Sequence, residues 1–156
     1  NISSNADLTI DTSDLNVHEL RNIINNRILQ EDSETMAILV QSFGFKHGLP
    51  ADTDFMFDVR CLPNPHWEGH LRPFSGKDTP VIEYLESFPA VANMEKSILD
   101  FMQQWIPCFE KEGRSYMTLS IGCTGGQHRS VYLAQKISAE LKKTRSNVSL
   151  RHRECD

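Results

Sequence analysis

Nine residues, Gly122-Cys123-Thr124-Gly125-Gly126-Gln127-His128-Arg129-Ser130, constrain this chain more than any other stretch. Before them, Tyr116–Ile121 alternates as a strand does. After them, Val131, Ala134, Ile137 and Leu141 stripe one face of a helix. A strand that runs through a glycine-rich loop straight into a helix is a βα unit. The flanking segments repeat the pattern. Met36–Phe45, Phe55–Val59 and Val148–Leu150 read as further strands, and Val81–Ser87 and Val91–Phe109 as helices. Strands alternating with helices predict an α/β fold with a mainly parallel sheet, flanking helices and a phosphate-binding loop between a strand and a helix.

Towards the N-terminus, Leu8-Thr9-Ile10 reads as a short strand. Asn16 with Glu19 has the form of a capping box, opening a helix with Val17, Leu20, Ile23, Ile24 and Ile28 on one face. The acidic Glu31-Asp32-Ser33-Glu34 reads as an exposed linker. Residues 61–80 hold five prolines or glycines before Pro80, which excludes regular structure over most of the stretch and makes a functional loop the expectation. Met36–Val40, Leu99, Phe101 and Trp105 are read as core.

The length of 156 residues is that of about one domain. Net charge is -5, divided unevenly: residues 1–60 carry 10 acidic and 4 basic side chains, residues 61–156 carry 11 and 12. A general polyanion binder is excluded, whereas a local basic patch in the second part is not. No apolar run approaches the ~18 residues of a membrane span, and no signal peptide is recognisable. The four cysteines form no C-x-x-C pair, so reduced thiols and a cytoplasmic location are expected. No G-x-x-x-x-G-K-[ST] occurs, so no Walker-type nucleotide site is expected. The first residue is Asn1, and a piece of a longer polypeptide is the expectation.

Chemically, the 122–130 loop reads as an anion cradle. Gly125 and Gly126 let backbone N–H groups turn inward, and the following helix offers its positive end. Thr124 and Ser130 add hydroxyls, His128 an imidazole, and Arg129 a fork for two phosphate oxygens. A tight turn with the glycines serving geometry alone is the plainer alternative. Cys123, five residues, Arg129 and Ser130 also match the C-x-x-x-x-x-R-S signature of cysteine-dependent phosphatases, in which a thiolate attacks phosphorus. Against that, Gly122 stands where such enzymes carry His, and no Trp-Pro-Asp segment supplies an acid. Phosphate binding without phosphate chemistry is therefore preferred.

Other candidates cluster after strands. Asp58 ends one strand, and Asn64 and His66 lie in the loop behind it. They fit one pocket with Thr124 and Arg129, although Asp58 equally fits an ion pair with Arg60, and a lone loop histidine is commonly just solvated. Ser42 and His47 end another strand. Lys142, Lys143, Arg145, Arg151 and Arg153 form the best basic cluster, suited to nucleic acid or simply to a solvated helix end. His66 and His70 with Cys61 suggest zinc, but Pro65 and Gly69 oppose the helix such a pair needs, and no metal is expected.

Ser42-Phe43-Gly44-Phe45-Lys46-His47-Gly48-Leu49-Pro50, Phe57-Asp58-Val59-Arg60, Leu62-Pro63-Asn64-Pro65-His66-Trp67, Gly122–Gly126 with His128-Arg129-Ser130, and Arg151-His152-Arg153 together resemble the C-terminal domain of the RapZ/YvcJ family. Residues 1–30 resemble the end of that family's N-terminal P-loop domain, so 31–156 is expected to be the C-terminal domain. The resemblance implies an RNA-binding adaptor rather than an enzyme. It would present a small regulatory RNA to the endoribonuclease RNase E, with glucosamine-6-phosphate as regulatory ligand, self-association into a homo-oligomer, and no membrane. ATP or GTP would bind only in the N-terminal domain. The resemblance implies ligand and RNA roles for His47, Asp58, His66, Thr124, Gly125 and Arg129.

Overall fold

The structure, a computed structural model, describes residues 35–155 and Val17. Residues 35–155 belong to one compact unit, Glu34–Asp156. The strand expected at Leu8–Ile10, the helix opened by Asn16, the acidic linker and the boundary at residue 30 lie outside the described residues, save that Val17 is helical.

Four strands form an all-parallel sheet in the order β2-β3-β1-β4, with β1 Ala37–Gly44, β2 Phe55–Asp58, β3 Tyr116–Cys123 and β4 Val148–His152. The helices within residues 35–155 are α1 Thr79–Glu86, α2 Pro89–Lys111 and α3 Arg129–Lys142. This is the α/β fold the alternation predicts. The two central strands are buried almost throughout because helices cover a parallel sheet on its faces, and even Gln41 and Ser42 of β1 and Thr118 and Ser120 of β3 are buried. Accordingly Ile38, Val40 and Phe43 of β1 and Met117, Leu119 and Ile121 of β3 are buried.

α3 turns Val131, Ala134, Ile137 and Leu141 inward, the stripe read from sequence. α2 buries Val91, Ile98, Met102 and Ile106. Leu99 and Phe101 are half-buried against that core. Trp105 is a correction, being 42% exposed. A rotation of about 100° per residue carries it to the edge of the stripe that ends at Ile106. No described helix is long and apolar enough to cross a membrane.

The parallel arrangement brings the carboxyl ends of all four strands, Gly44, Asp58, Cys123 and His152, to one edge of the sheet. The loops following them share that edge with the N-terminus of α3. Open α/β sheets bind ligands at such an edge.

Candidate functional site

A cavity of about 570 Å³ opens at this edge. Of the residues singled out in the sequence, Asn64, His66, Cys123, Thr124, Gly125, His128 and Arg129 line it. Lys46, Arg72, Phe74, Ser75, Lys77, Asp78, Gln127 and Cys155 also line it, and sequence reasoning missed them. The richness of residues 61–80 in Pro and Gly marked a functional loop without indicating which side chains it delivers. Gly76 delivers them. Its N–H donates to the Gln127 carbonyl at 2.8 Å, and a Cβ there would strike the His128 carbonyl and come within 2.6 Å of the Tyr132 nitrogen. The 72–78 segment is thereby laid against the start of α3.

Arg129 is the first residue of α3 and is only 4% exposed. Its Nη1 donates to the backbone carbonyls of Arg60 and Leu62, at 2.8 and 2.9 Å. Its Nη2 reaches Thr124 Oγ1 at a long 3.4 Å, and its Nε has no partner. One corner of the guanidinium is thus anchored, while Nε is buried without a partner and Nη2 has only a long contact. A buried N–H without a partner is costly, and a bound anion would satisfy it.

His128 stands beside it, buried, with Nε2 unpartnered. Burial holds its pKa below the ordinary imidazole value. A bond to the Phe74 backbone opposes this, and the His66 and Arg129 charges reinforce it. The His66 and His128 rings lie 6.4 Å apart. Arg72 Nε donates to the His66 carbonyl at 2.8 Å, fixing a cation at the rim. Asp78 accepts from the Ser75 N–H and hydroxyl, which hold it below the usual carboxylate range. Set against that carboxylate, Lys46, Arg72, Lys77 and Arg129 make the lining positive.

The loop itself coils around the Cys123 sulfur. Ser130 Oγ lies 3.1 Å from it, and the Gly126 and Ser130 amides direct their N–H groups to it. Gly126 takes φ +74°, a left-handed conformation that glycine adopts without strain.

Four other sequence candidates sit outside the cavity lining. Asp58 is held by Arg60, whose Nε and Nη2 donate to both carboxylate oxygens at 2.7–3.0 Å. That bond keeps it below the usual carboxylate range. Ser42 is buried, its hydroxyl 2.8 Å from His152 Nδ1. Ser130 serves Cys123, and Gly126 packs against Gly44.

The basic residues divide. His47 and Arg151 are exposed towards the carboxyl edge, and Arg153 donates to the Gly48 carbonyl at 2.7 Å and pairs with Glu154. Lys142 and Lys143 close α3 at its far end, about 20 Å from Arg129 at 1.5 Å rise per residue. Arg145 pairs with Glu110. Among the described residues no group of three or more His, Cys, Asp or Glu side chains is arranged to hold a metal ion.

The model of the RapZ C-terminal domain matches residues 36–156, nearly four-fifths of the chain. The chain belongs to the RapZ C-terminal domain family. It is 56% identical over 154 residues to a nucleotide-binding protein of Thioalkalivibrio sulfidiphilus, covering 98% of this chain and 54% of that protein. It is 52% identical to nucleotide-binding proteins of Nitrosococcus oceani and Saccharophagus degradans, over 153 and 155 residues, 98% and 99% of this chain and 54% and 53% of theirs. This RapZ-family chain therefore spans about half the length of the curated relatives it matches. The cavity described above lies wholly within the part matched by the RapZ domain model.

Proposed function

We propose that this RapZ-family unit is a metabolite-sensing, RNA-binding adaptor, with the cavity at the strand ends as its sensor. The observation that carries the reading is Arg129. Buried, anchored by two carbonyls and left with an unpartnered Nε, it is a guanidinium prepared for a dianion. Its ligand is an aminosugar phosphate, glucosamine-6-phosphate. Arg129, Thr124, Gly125 and the positive end of α3 take the phosphate, while His66, Asn64 and His128 frame the sugar. Asp58 is committed to Arg60, so the ammonium falls to Asp78, the carboxylate in the lining.

The same groups take an RNA phosphate. Lys46, Arg72 and Lys77 line the cavity, and Trp67, 76% exposed beside His66, offers a ring for a base to stack on. His47, Arg151 and Arg153 extend that surface, with Lys142, Lys143 and Arg145 a second contact further off. Metabolite and RNA then compete, so that a high metabolite level releases a small regulatory RNA from delivery to RNase E. The adaptor works in the cytoplasm as a homo-oligomer. Its relatives are named nucleotide-binding proteins, and this chain has no Walker motif, so that binding, which the family resemblance implies is of ATP or GTP, is assigned to the part of those proteins this chain does not span.

Titration calorimetry with glucosamine-6-phosphate, with and without RNA, tests this. Competition requires each ligand to weaken the other by the same factor. RNA affinity should fall steeply with salt and be lost in Arg129→Ala. A metabolite affinity unchanged by RNA overturns the adaptor reading and leaves a sugar-phosphate module.

A further inference from the structure

Cys123 lies at the end of β3, 3% exposed, yet it is among the residues lining the cavity. A cysteine kept only for packing is a small hydrophobe with no need of polar partners. This one has several. Ser130 Oγ is 3.1 Å from its sulfur, the amides of Gly126 and Ser130 point at it, and Arg129 lies beside it at the head of α3. Burial pushes the thiol up. The Ser130 hydroxyl, the two amides and the Arg129 charge outweigh burial and hold it below its ordinary value. A second observation concerns the neighbouring residues of the same wall. Arg129 Nε and His128 Nε2 are buried without partners on residues of the cavity wall.

We propose that Cys123 is a nucleophile that accepts the phosphoryl group of aryl or acyl phosphates held in this cavity; the proposal rests on the cavity's reading as a dianion site. In the first step the thiolate attacks phosphorus. An S–P bond forms as the ester P–O bond breaks, and the leaving oxygen departs with the electron pair as phenolate or carboxylate. The Arg129 Nε–Nη2 edge holds two non-bridging oxygens throughout. In the second step a water oxygen attacks the phosphocysteine, the S–P bond breaks, and Cys123 is returned as thiolate. The water's proton passes to His128 Nε2, which burial keeps neutral and able to accept it.

The restriction to acidic leaving groups comes from the same walls. An alkyl ester leaves as an alkoxide and needs a proton donor. Among the described residues lining the cavity the carboxyl group is that of Asp78, and the Ser75 N–H and hydroxyl hold it ionised. A sugar phosphate is therefore bound and spared, which suits a regulatory ligand.

The test incubates the full chain with p-nitrophenyl phosphate, acetyl phosphate and glycerol 2-phosphate, with inorganic phosphate binding measured by calorimetry in parallel. The expected result is a burst of about one p-nitrophenolate per chain, turnover of acetyl phosphate, and none of glycerol 2-phosphate. Cys123→Ser should lower turnover about 10³-fold or more while still binding phosphate. Ser130→Ala should shift the pH profile of turnover upward with the fold retained. Phosphate binding without any p-nitrophenolate release overturns the nucleophile and leaves the dianion site standing. Release that survives in a folded Cys123→Ser also overturns it. Absence of phosphate binding overturns both readings.

Discussion

Arg129 donates from Nη1 to the backbone carbonyl of Leu62 at 2.9 Å, joining the head of α3 to the loop that leaves β2. With the parallel bond to Arg60, this contact orients the guanidinium before any ligand arrives. Arg129→Lys keeps the charge and loses the anchors and the fork. It should weaken phosphate binding about 30-fold, and Arg129→Ala about 100-fold or more. Because Arg129→Ala also leaves two carbonyls unpaired, it should cost about 2 kcal/mol of stability. Calorimetry and denaturant melts on the same preparations separate the two effects.

Gly76→Ala tests how the cavity wall is held. The added methyl would meet backbone of His128 and Tyr132, neither of which can swing aside as a side-chain tip does. A loss of about 2 kcal/mol in stability is expected, together with weaker sugar-phosphate binding as the 72–78 segment lifts. Gly69→Ala, which meets nothing within 4 Å, is the control and should change stability by less than about 0.5 kcal/mol.

Much of this was legible in the sequence, and the losses have physical causes. The βα unit around 116–141 was readable because strand period, glycine loop and helix stripe are all local. So was the gathering of Thr124, Arg129 and His66, since loops after parallel strands must share an edge. The strand order was not predicted, because nothing local records that β1 lies between β3 and β4. Nor was the commitment of Asp58 decided, since Arg60 two residues on and a pocket across the sheet compete for one carboxylate. Lys46, Lys77 and Asp78 reach the cavity through long-range placement of loops, with no periodicity to announce them. Trp105 was assigned to the core from its hydrophobicity, and one step of helix rotation moved it to the edge.

Stability should fall as pH drops below the ordinary imidazole value of 6.5. Burial depresses the folded-state pKa of His128, and likewise of His152, which the nearby Lys77 charge lowers further. The unfolded chain then binds more protons than the native one between the depressed values and 6.5. The native state consequently loses stability as pH falls through that window. Thermal melts from pH 7.5 to 5.5 should show a falling midpoint. The dependence should flatten in His128→Gln, and saturating sugar phosphate should reduce it by stabilising His128 in its charged form.

The Cys123 thiol should titrate below its ordinary value, held there against the effect of burial by the Ser130 hydroxyl and the Ser130 and Gly126 amides. Peptide-resolved iodoacetamide labelling across pH 5 to 9 reads the midpoint for this cysteine apart from Cys61, Cys108 and Cys155. Ser130→Ala removes the hydroxyl at 3.1 Å and should raise that midpoint. Bound phosphate should protect the sulfur from the reagent.

The most direct test of the central claim follows the Nε–H of Arg129 by nitrogen-15 NMR while glucosamine-6-phosphate is added. The Arg129 Nε–H and the His128 ring resonances should shift together and saturate at the calorimetric affinity, with both shifts missing in Arg129→Lys. Saturable binding that leaves the Arg129 Nε–H unmoved would contradict it, placing the anion elsewhere on the molecule.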